Sequence, residues 1–290
     1  MTPLDTPPKP DRVAIALRVF VYAFLVIAGA SIFPIVLYWA APVPFVVATL
    51  STFAAAAVAN AITLRIWAHG QLADIGMQWT PASRWNLLLG FTGGLAAGLL
   101  ASLTPVAFRL ESLERPPNAS VQWGALAFVS VLLLFGAVGE EMLFRGYAFQ
   151  FLIGRLGPYA TILPFGVLFG LMHANNPNQT WLGLVNTMAW GILFGYAFLR
   201  SADLWLPIGL HFGWNWVLPL LGANLSGYTM GETGLAERSN ASPWWTGGNY
   251  GPEGSVFTTM AVVGLFFYLR WTPVQRQRSA LALLPEEGES

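Results

Sequence analysis

Polar residues that could activate a water molecule occur in three short segments of an otherwise apolar sequence. The first segment carries Glu140 and Glu141, the second His173, and the third His211 and Asn215. A carboxylate can act as a general base, an imidazole can transfer a proton, and an amide can donate to a developing oxyanion. Two histidines and a glutamate are also a known ligand set for catalytic zinc. These residue types therefore indicate hydrolysis by an activated water, if the three segments meet in space.

Helical spacing gives the two adjacent glutamates different tasks. Neighbouring residues on a helix point about 100° apart, so Glu140 and Glu141 cannot both face one point. Arg145 lies four residues after Glu141, which is the favourable order for an ion pair. We expect Arg145 to keep Glu141 ionised and to leave Glu140 free for chemistry. The alternative is that both glutamates simply share Arg145.

Each of the two histidines has a helical neighbour four residues away. Phe169 precedes His173 on one helix face, and the polar residues 175–177 follow directly. A single histidine in a helix can also be a hydrogen-bonded packing residue, so both interpretations of His173 stay open. His211 and Asn215 project together and need a common partner, because an unpaired polar group is costly in hydrocarbon. That partner could be another helix, a metal or a water.

The composition places these residues in a membrane protein. Hydrophobic residues make up 55% of the 290 residues and charged residues only 10%, against about 25% charged residues in soluble domains. The mean hydropathy of +0.56 agrees. The formal net charge is zero, which gives no indication of a nucleic-acid partner. The absence of cysteine excludes disulfides, thiolate metal sites and a cysteine nucleophile.

Apolar segments long enough to cross a bilayer recur along the chain. A spanning helix needs roughly 20 apolar residues. We predict an all-α, polytopic transmembrane helix bundle with about eight membrane helices, at about 19–40, 43–64, 85–107, 122–152, 158–174, 181–200, 204–221 and 255–271. The fourth segment is too long for one simple crossing, so we expect it to tilt or bend.

The basic residues indicate the orientation of the bundle. With the N-terminus in the cytoplasm, only Arg109, Arg115 and Arg238 of the 14 Lys and Arg residues fall outside. Basic residues favour cytoplasmic loops. We therefore expect both termini in the cytoplasm and a multi-pass protein of the cell membrane.

The segments outside the helices suggest a simple domain organisation. We expect a disordered polar N-terminus at 1–12, a transmembrane bundle at 13–273 and a polar tail at 274–290. The catalytic core lies at about 122–221. The long non-cytoplasmic loop 222–254 is either a substrate lid or a flexible connector with an interfacial anchor.

Glycines spaced four residues apart predict places where helices approach closely. Small residues at this spacing allow the backbones of membrane helices to touch. We interpret them as packing seams without chemistry: Gly90, Gly94 and Gly98, and the pairs Gly166/Gly170, Gly191/Gly195 and Gly209/Gly213.

Three ordered motifs give the chain a resemblance to a known family. They read Glu140-Glu141-Met-Leu-Phe-Arg145, Phe169-Gly-Leu-Met-His173 and His211-Phe-Gly-Trp-Asn215. Together they resemble the CPBP family, also called type II CAAX prenyl endopeptidase-like or Abi proteins. The resemblance covers about 122–221, and the other segments match only as hydrophobic helices.

The resemblance implies an intramembrane endopeptidase that hydrolyses a membrane-anchored protein or peptide. Glu140 would activate the attacking water with help from His173, while His211 and Asn215 would hold the oxyanion. Alternatively, Glu140, His173 and His211 would bind zinc or another divalent metal. The implied partners are membrane lipid and the anchored substrate, with no nucleic acid. The implied supporting residues are Glu141, Arg145 and Phe169.

Two other functions use the same residues differently. A non-catalytic membrane scaffold or immunity factor of the same fold would keep the polar cluster only for packing. A proton-coupled transporter could use membrane Glu and His residues as a relay. The sequence contains no evident internal repeat of the kind that many transporters have.

Overall fold

Proline and glycine mark many of the helix boundaries. Pro44, Pro81 and Pro158 each open a helix, where the missing N–H group costs nothing. Gly222 ends another helix in the left-handed conformation, with φ 75°. Thr80 caps its helix by accepting a hydrogen bond from the backbone N–H of Ser83. The apolar segments between these residues fold as helices.

The structure is a computed structural model that describes residues 12–277, 279 and 281–282. In this part of the chain, helices predominate and two short strands pair. The helices are α1 (Arg12–Ala40), α2 (Pro44–Trp67), α3 (Pro81–Ala107), α4 (Trp123–Arg145), α5 (Tyr147–Leu156), α6 (Pro158–Met172), α7 (Trp181–Ser201), α8 (Trp205–Leu221), α9 (Pro243–Thr246) and α10 (Val256–Trp271). The strands are β1 (Glu111–Glu114) and β2 (Ala236–Ser239), and single 3-10 turns cover Leu72–Ile75, Gly248–Tyr250 and Pro252–Gly254.

The long apolar helices make this an all-α membrane protein, as predicted. Within the described residues, five helical stretches are long and apolar enough to cross a bilayer: α1, α2, α3, the α4–α5 stretch and α7. The helices α6 and α10 are apolar but shorter. Each of the eight predicted segments contains a helix. The number of crossings and the cytoplasmic position of the termini stay predictions.

The predicted fourth segment is two helices that meet at Gly146. The side chain of Asn60, on α2, accepts a hydrogen bond from the backbone N–H of Tyr147, at 2.7 Å. A Cβ at Gly146 would lie 2.2 Å from that same amide oxygen, so only glycine leaves room for it. An asparagine from a neighbouring helix therefore satisfies the backbone where α4 ends.

A two-stranded antiparallel ribbon was not predicted by the sequence. Strand β1 pairs with β2 in a register from Glu111 opposite Ser239 to Glu114 opposite Ala236. The ribbon joins the connection after α3 to the loop 222–254. Part of that loop therefore has regular structure.

The chain ends differ slightly from the expected domain limits. Arg12 begins α1, and the remainder of the predicted disordered N-terminus lies outside the described residues. In the described part of the predicted tail, the backbone N–H of Gln277 donates to the carbonyl of Ser201 at 2.7 Å. The Ser279 hydroxyl donates to the side chain of Gln150, also at 2.7 Å. These tail residues pack against the bundle.

Glycine seams hold the site-bearing helices against their neighbours, as predicted. A Cβ at Gly209 of α8 would lie 2.3 Å from the carbonyl oxygen of Leu87 in α3. A Cβ at Gly191 of α7 would lie 2.8 Å from the Cα of Gly166 in α6. Backbones this close fix the relative positions of the helices. The seams therefore position the residues that α6 and α8 carry.

Candidate active site

The two adjacent glutamates of α4 occupy different environments. The Glu141 side chain is fully buried, whereas that of Glu140 is 28% exposed. Gly139 lets α4 approach α2, because a Cβ there would lie 2.8 Å from the Cα of Phe53. With α4 fixed in this way, Glu140 borders a cavity and Glu141 points into the bundle.

Arg145 is enclosed by its ion pair and by aromatic rings. Its Nη1 atom lies 3.3 Å from the Glu141 carboxylate, and its Nη2 atom donates to the carbonyl of Gly191 at 2.6 Å. The rings of Phe144, Phe169 and Phe194 lie 5.0–5.6 Å from the guanidinium carbon. Such faces attract a cation electrostatically. The buried charge therefore has partners on several sides.

Glu141 also contacts His211 and fixes the orientation of its ring. The Nδ1 atom of His211 lies 2.9 Å from Oε1 of Glu141. An ionised carboxylate only accepts hydrogen bonds, so Nδ1 carries the proton and the Nε2 lone pair is free. The His211 ring stacks on Phe194 at 4.9 Å between centroids. Its Nε2 atom faces Glu140.

His173 follows the last residue of α6 and is oriented by a backbone carbonyl. Its Nδ1 atom lies 2.8 Å from the carbonyl oxygen of Phe169. The carbonyl accepts, so Nδ1 donates and Nε2 again has a free lone pair. The Phe169 ring packs beside both histidine rings, at 4.9 Å from His173 and 6.0 Å from His211.

One oxygen of Glu140 lies between the two imidazoles. Its Oε2 atom is 3.8 Å from Nε2 of His173 and 3.9 Å from Nε2 of His211. Both separations exceed a direct hydrogen bond. This oxygen is buried and has no hydrogen-bond partner among the described residues. A group that bridges these acceptors must bring protons or positive charge, and a water molecule can donate to two of them.

A cavity of about 290 Å³ brings together the four residues proposed from the sequence as catalytic. Glu140, His173, His211 and Asn215 all line it. Within the described part of the chain, the Asn215 side chain forms none of the observed hydrogen bonds. Its amide is therefore available as a donor to a bound group. The cavity also has walls from α2 and α7 and from the loop 222–254.

The proposed metal ligands do not form a prearranged metal site. Around zinc, ligand atoms at 2.0–2.2 Å from the ion would lie roughly 3.3–3.6 Å apart, whereas Glu140 is 3.8 and 3.9 Å from the histidines. Over the residues that the structure covers, no three His, Cys, Asp or Glu side chains are grouped to hold a metal ion. Binding of zinc or another divalent metal stays a prediction.

The structure adds an acidic residue that the sequence analysis did not single out. Glu253, just before α10, lines the same cavity and is 8% exposed. Burial raises the pKa of its carboxyl, and hydrogen bonds from Ser226 partly oppose that effect. The sequence does contain a feature that could have pointed to Glu253. It is an isolated acidic residue in the glycine-rich segment 251–254, directly before an apolar helix.

Comparison with known proteins gives one match. Residues 122–217 match the family model described as type II CAAX prenyl endopeptidase Rce1-like. The matched segment is about a third of the 290 residues and contains all three motifs. No curated protein and no solved structure matches the chain.

Proposed function

We propose that this chain is an intramembrane endopeptidase, because residues 122–217 match the model of the type II CAAX prenyl endopeptidase-like family of membrane proteases. The observation that supports this proposal most is the position of one unpaired Glu140 oxygen between two free imidazole nitrogens. The substrate that we propose is a protein or peptide anchored in the membrane.

In the proposed reaction, Glu140 acts as the general base. A water near its Oε2 atom loses a proton to the carboxylate and attacks the carbonyl carbon of the scissile peptide bond. The C–O bond forms as the carbonyl oxygen takes the negative charge. A positioned general base contributes about 10²–10⁴-fold to such a step.

The remaining residues stabilise the tetrahedral intermediate and complete the cleavage. The free amide of Asn215 donates to the oxyanion. His211 donates as well after its Nε2 atom has taken up a proton from solvent in the cavity, and Glu141 stabilises the resulting imidazolium. His173 passes the proton from Glu140 to the leaving nitrogen as the C–N bond breaks. Arg145 and Phe169 keep Glu141 and the imidazoles in position.

A cleavage assay with Glu140→Gln tests the proposal directly. The purified protein in lipid vesicles is given a quenched fluorescent peptide that ends in a farnesylated CAAX sequence. Glutamine keeps the size of the side chain but cannot take the proton, so we expect kcat to fall about 100-fold or more. Glu114→Gln, on the exposed face of the ribbon, is the matched control and should cleave like the wild type.

The same assay separates the rival interpretations. Full activity of folded Glu140→Gln would contradict the proposal and favour a scaffold. The reaction described above uses no metal, so wild-type activity should survive a chelator. Activity that is lost to the chelator and restored by zinc would instead support the metal-binding alternative. A peptide without the prenyl group shows whether the lipid contributes to KM.

A further inference from the structure

A tight turn from the loop 222–254 forms part of the cavity wall. Leu225 and Tyr228 exchange backbone hydrogen bonds of 2.9 Å in both directions. The two residues between them both have positive φ, 49° at Ser226 and 85° at Gly227. This matches a type I′ turn, which suits glycine but is uncommon for serine. The turn therefore needs support at Ser226.

The position of the turn is fixed by its neighbours on both sides. A Cβ at Gly227 would lie 1.7 Å from the carbonyl oxygen of Pro177, in the segment that follows His173. The backbone N–H of Gly227 donates to Tyr250 at 2.8 Å. The ring of Tyr228 packs on Phe45 of α2, at 5.7 Å. The turn thus spans the side of the cavity between α2 and the segment after α6.

Glu253 holds the strained residue of this turn. Its carboxylate accepts hydrogen bonds from the backbone N–H of Ser226 and, at 3.0 Å, from the Ser226 hydroxyl. It also lies 3.5 Å from Nε1 of Trp214, the residue before Asn215 in α8. Asn186 donates to the carbonyl of Glu253 at 2.8 Å and fixes its backbone. The acid therefore joins the loop to α7 and α8.

We propose that Glu253 is a positioning residue that clamps the Ser226–Gly227 turn as the substrate-binding wall of the active site. The proposal rests on the proposed function for its consequence, which is substrate binding. Leu225, Ser226 and Tyr228 line the cavity together with Glu140. The turn contains none of the groups that transfer protons. Its displacement should therefore affect binding of the peptide more than the chemical step.

The kinetics of Glu253→Ala test whether the turn affects peptide binding rather than the chemical step. Loss of the clamp should raise KM about tenfold and change kcat less than about threefold, the pattern of lost ground-state binding. Glu253→Gln should restore most of KM, because its oxygen accepts from the Ser226 N–H and its amide donates to the hydroxyl oxygen, and only the 3.5 Å contact with Trp214 is lost. If Glu253→Gln raises KM as much as Glu253→Ala does, the charge of Glu253 matters rather than its hydrogen bonds, and the clamp proposal is wrong. A fall in kcat at constant KM would also overturn it.

A second variant tests the strain at Ser226. Ser226→Gly in the Glu253→Ala background should recover most of the wild-type KM, because glycine adopts positive φ without support. The same change in the wild type should raise KM less than Glu253→Ala does, because the backbone N–H of residue 226 still donates to Glu253. No recovery in the double variant would show that the clamp does not act through the backbone of the turn.

Hydrogen exchange tests the clamp without any activity. In Glu253→Ala, the amides of 225–228 should exchange at least about tenfold faster, while those of α4 and α7 keep their protection. Unchanged exchange at 225–228 would overturn the proposal. A wild-type protein that cleaves no membrane peptide would overturn the proposed function, and the exchange result would still decide on the clamp.

Discussion

Glu141 contacts both Arg145 and His211 and has a different role towards each. It neutralises the fully buried Arg145 at 3.3 Å and orients His211 at 2.9 Å. Breaking a buried ion pair from one side leaves an uncompensated charge, which is strongly destabilising. A single carboxylate therefore connects the stability of the bundle to the orientation of a site residue.

Substitution of both ion-pair partners separates these two roles. We expect Glu141→Gln alone to lower the free energy of unfolding by about 3 kcal/mol, because Arg145 stays buried without a counterion. Glu141→Gln with Arg145→Met should recover most of that loss but remain poorly active, since His211 still lacks its carboxylate. Unfolding in mixed micelles and the cleavage assay measure the two effects. Recovery of full activity in the double variant would contradict the role of Glu141.

The residues of the three motifs were predictable because helical spacing and charge are local properties. The i, i+4 relation of Glu141 and Arg145 predicted their ion pair, which the structure contains. Glu253 and Ser226 were not predicted, because their contact joins residues 27 positions apart in an irregular loop. No periodic pattern connects such positions, so only the folded chain brings them together.

At the scale of elements, close backbone contact between α3 and α8 positions two of the site residues. The helix α8 carries His211 and Asn215, and its glycines rest on the backbone of α3. A side chain larger than hydrogen at this seam must push the helices apart. A substitution at the seam should therefore displace His211 and Asn215, although it does not touch either residue.

Alanine at one seam glycine tests this dependence. Gly209→Ala would place a methyl group 2.3 Å from the carbonyl of Leu87, so we expect a loss of about 1–3 kcal/mol in stability and a clear loss of cleavage. Gly124→Ala and Gly264→Ala are matched controls, because no atom of the described residues lies within 4 Å of a Cβ at either position. The thermal midpoint and kcat/KM of the three variants give the comparison. Equal effects at all three glycines would contradict the seam.

The helices were predictable from apolar length, but two features of the elements were not. The break at Gly146 depends on Asn60, a residue 86 positions earlier on another helix. The ribbon pairs two short segments, 111–114 and 236–239, that lie far apart in the sequence. Both segments are rich in charged residues and lack the alternating apolar pattern of a strand.

At the scale of the whole molecule, the ribbon introduces a dependence of stability on pH. Burial raises the pKa of Glu111 to about 7 and that of Glu237 to about 8, the latter with help from the charge of Glu111. The folded protein therefore keeps protons that the unfolded chain releases above a carboxyl pKa of 4.5. This contribution to stability is complete below 4.5 and is lost as the pH rises towards 8.

Thermal unfolding at several pH values tests whether stability decreases as the pH rises. The melting temperature of the wild type should decrease as the pH rises from about 5 to about 9. The double variant Glu111→Gln with Glu237→Gln should show a smaller decrease. Glu114→Gln, on the exposed face of the same ribbon, should keep the wild-type slope. An unchanged slope in the double variant would assign the pH dependence to other groups.

The segment after α10 has a practical consequence for anyone who purifies or shortens this protein. Asn86 exchanges two hydrogen bonds with the backbone of Gln275, and the Gln277 side chain reaches the carboxylate of Asp203. A truncation after Trp271 would leave the buried Asn86 amide without these partners. An affinity tag fused immediately behind the last helix would compete for the same space. Expression trials should therefore keep residues 272–282 intact and attach any handle beyond them.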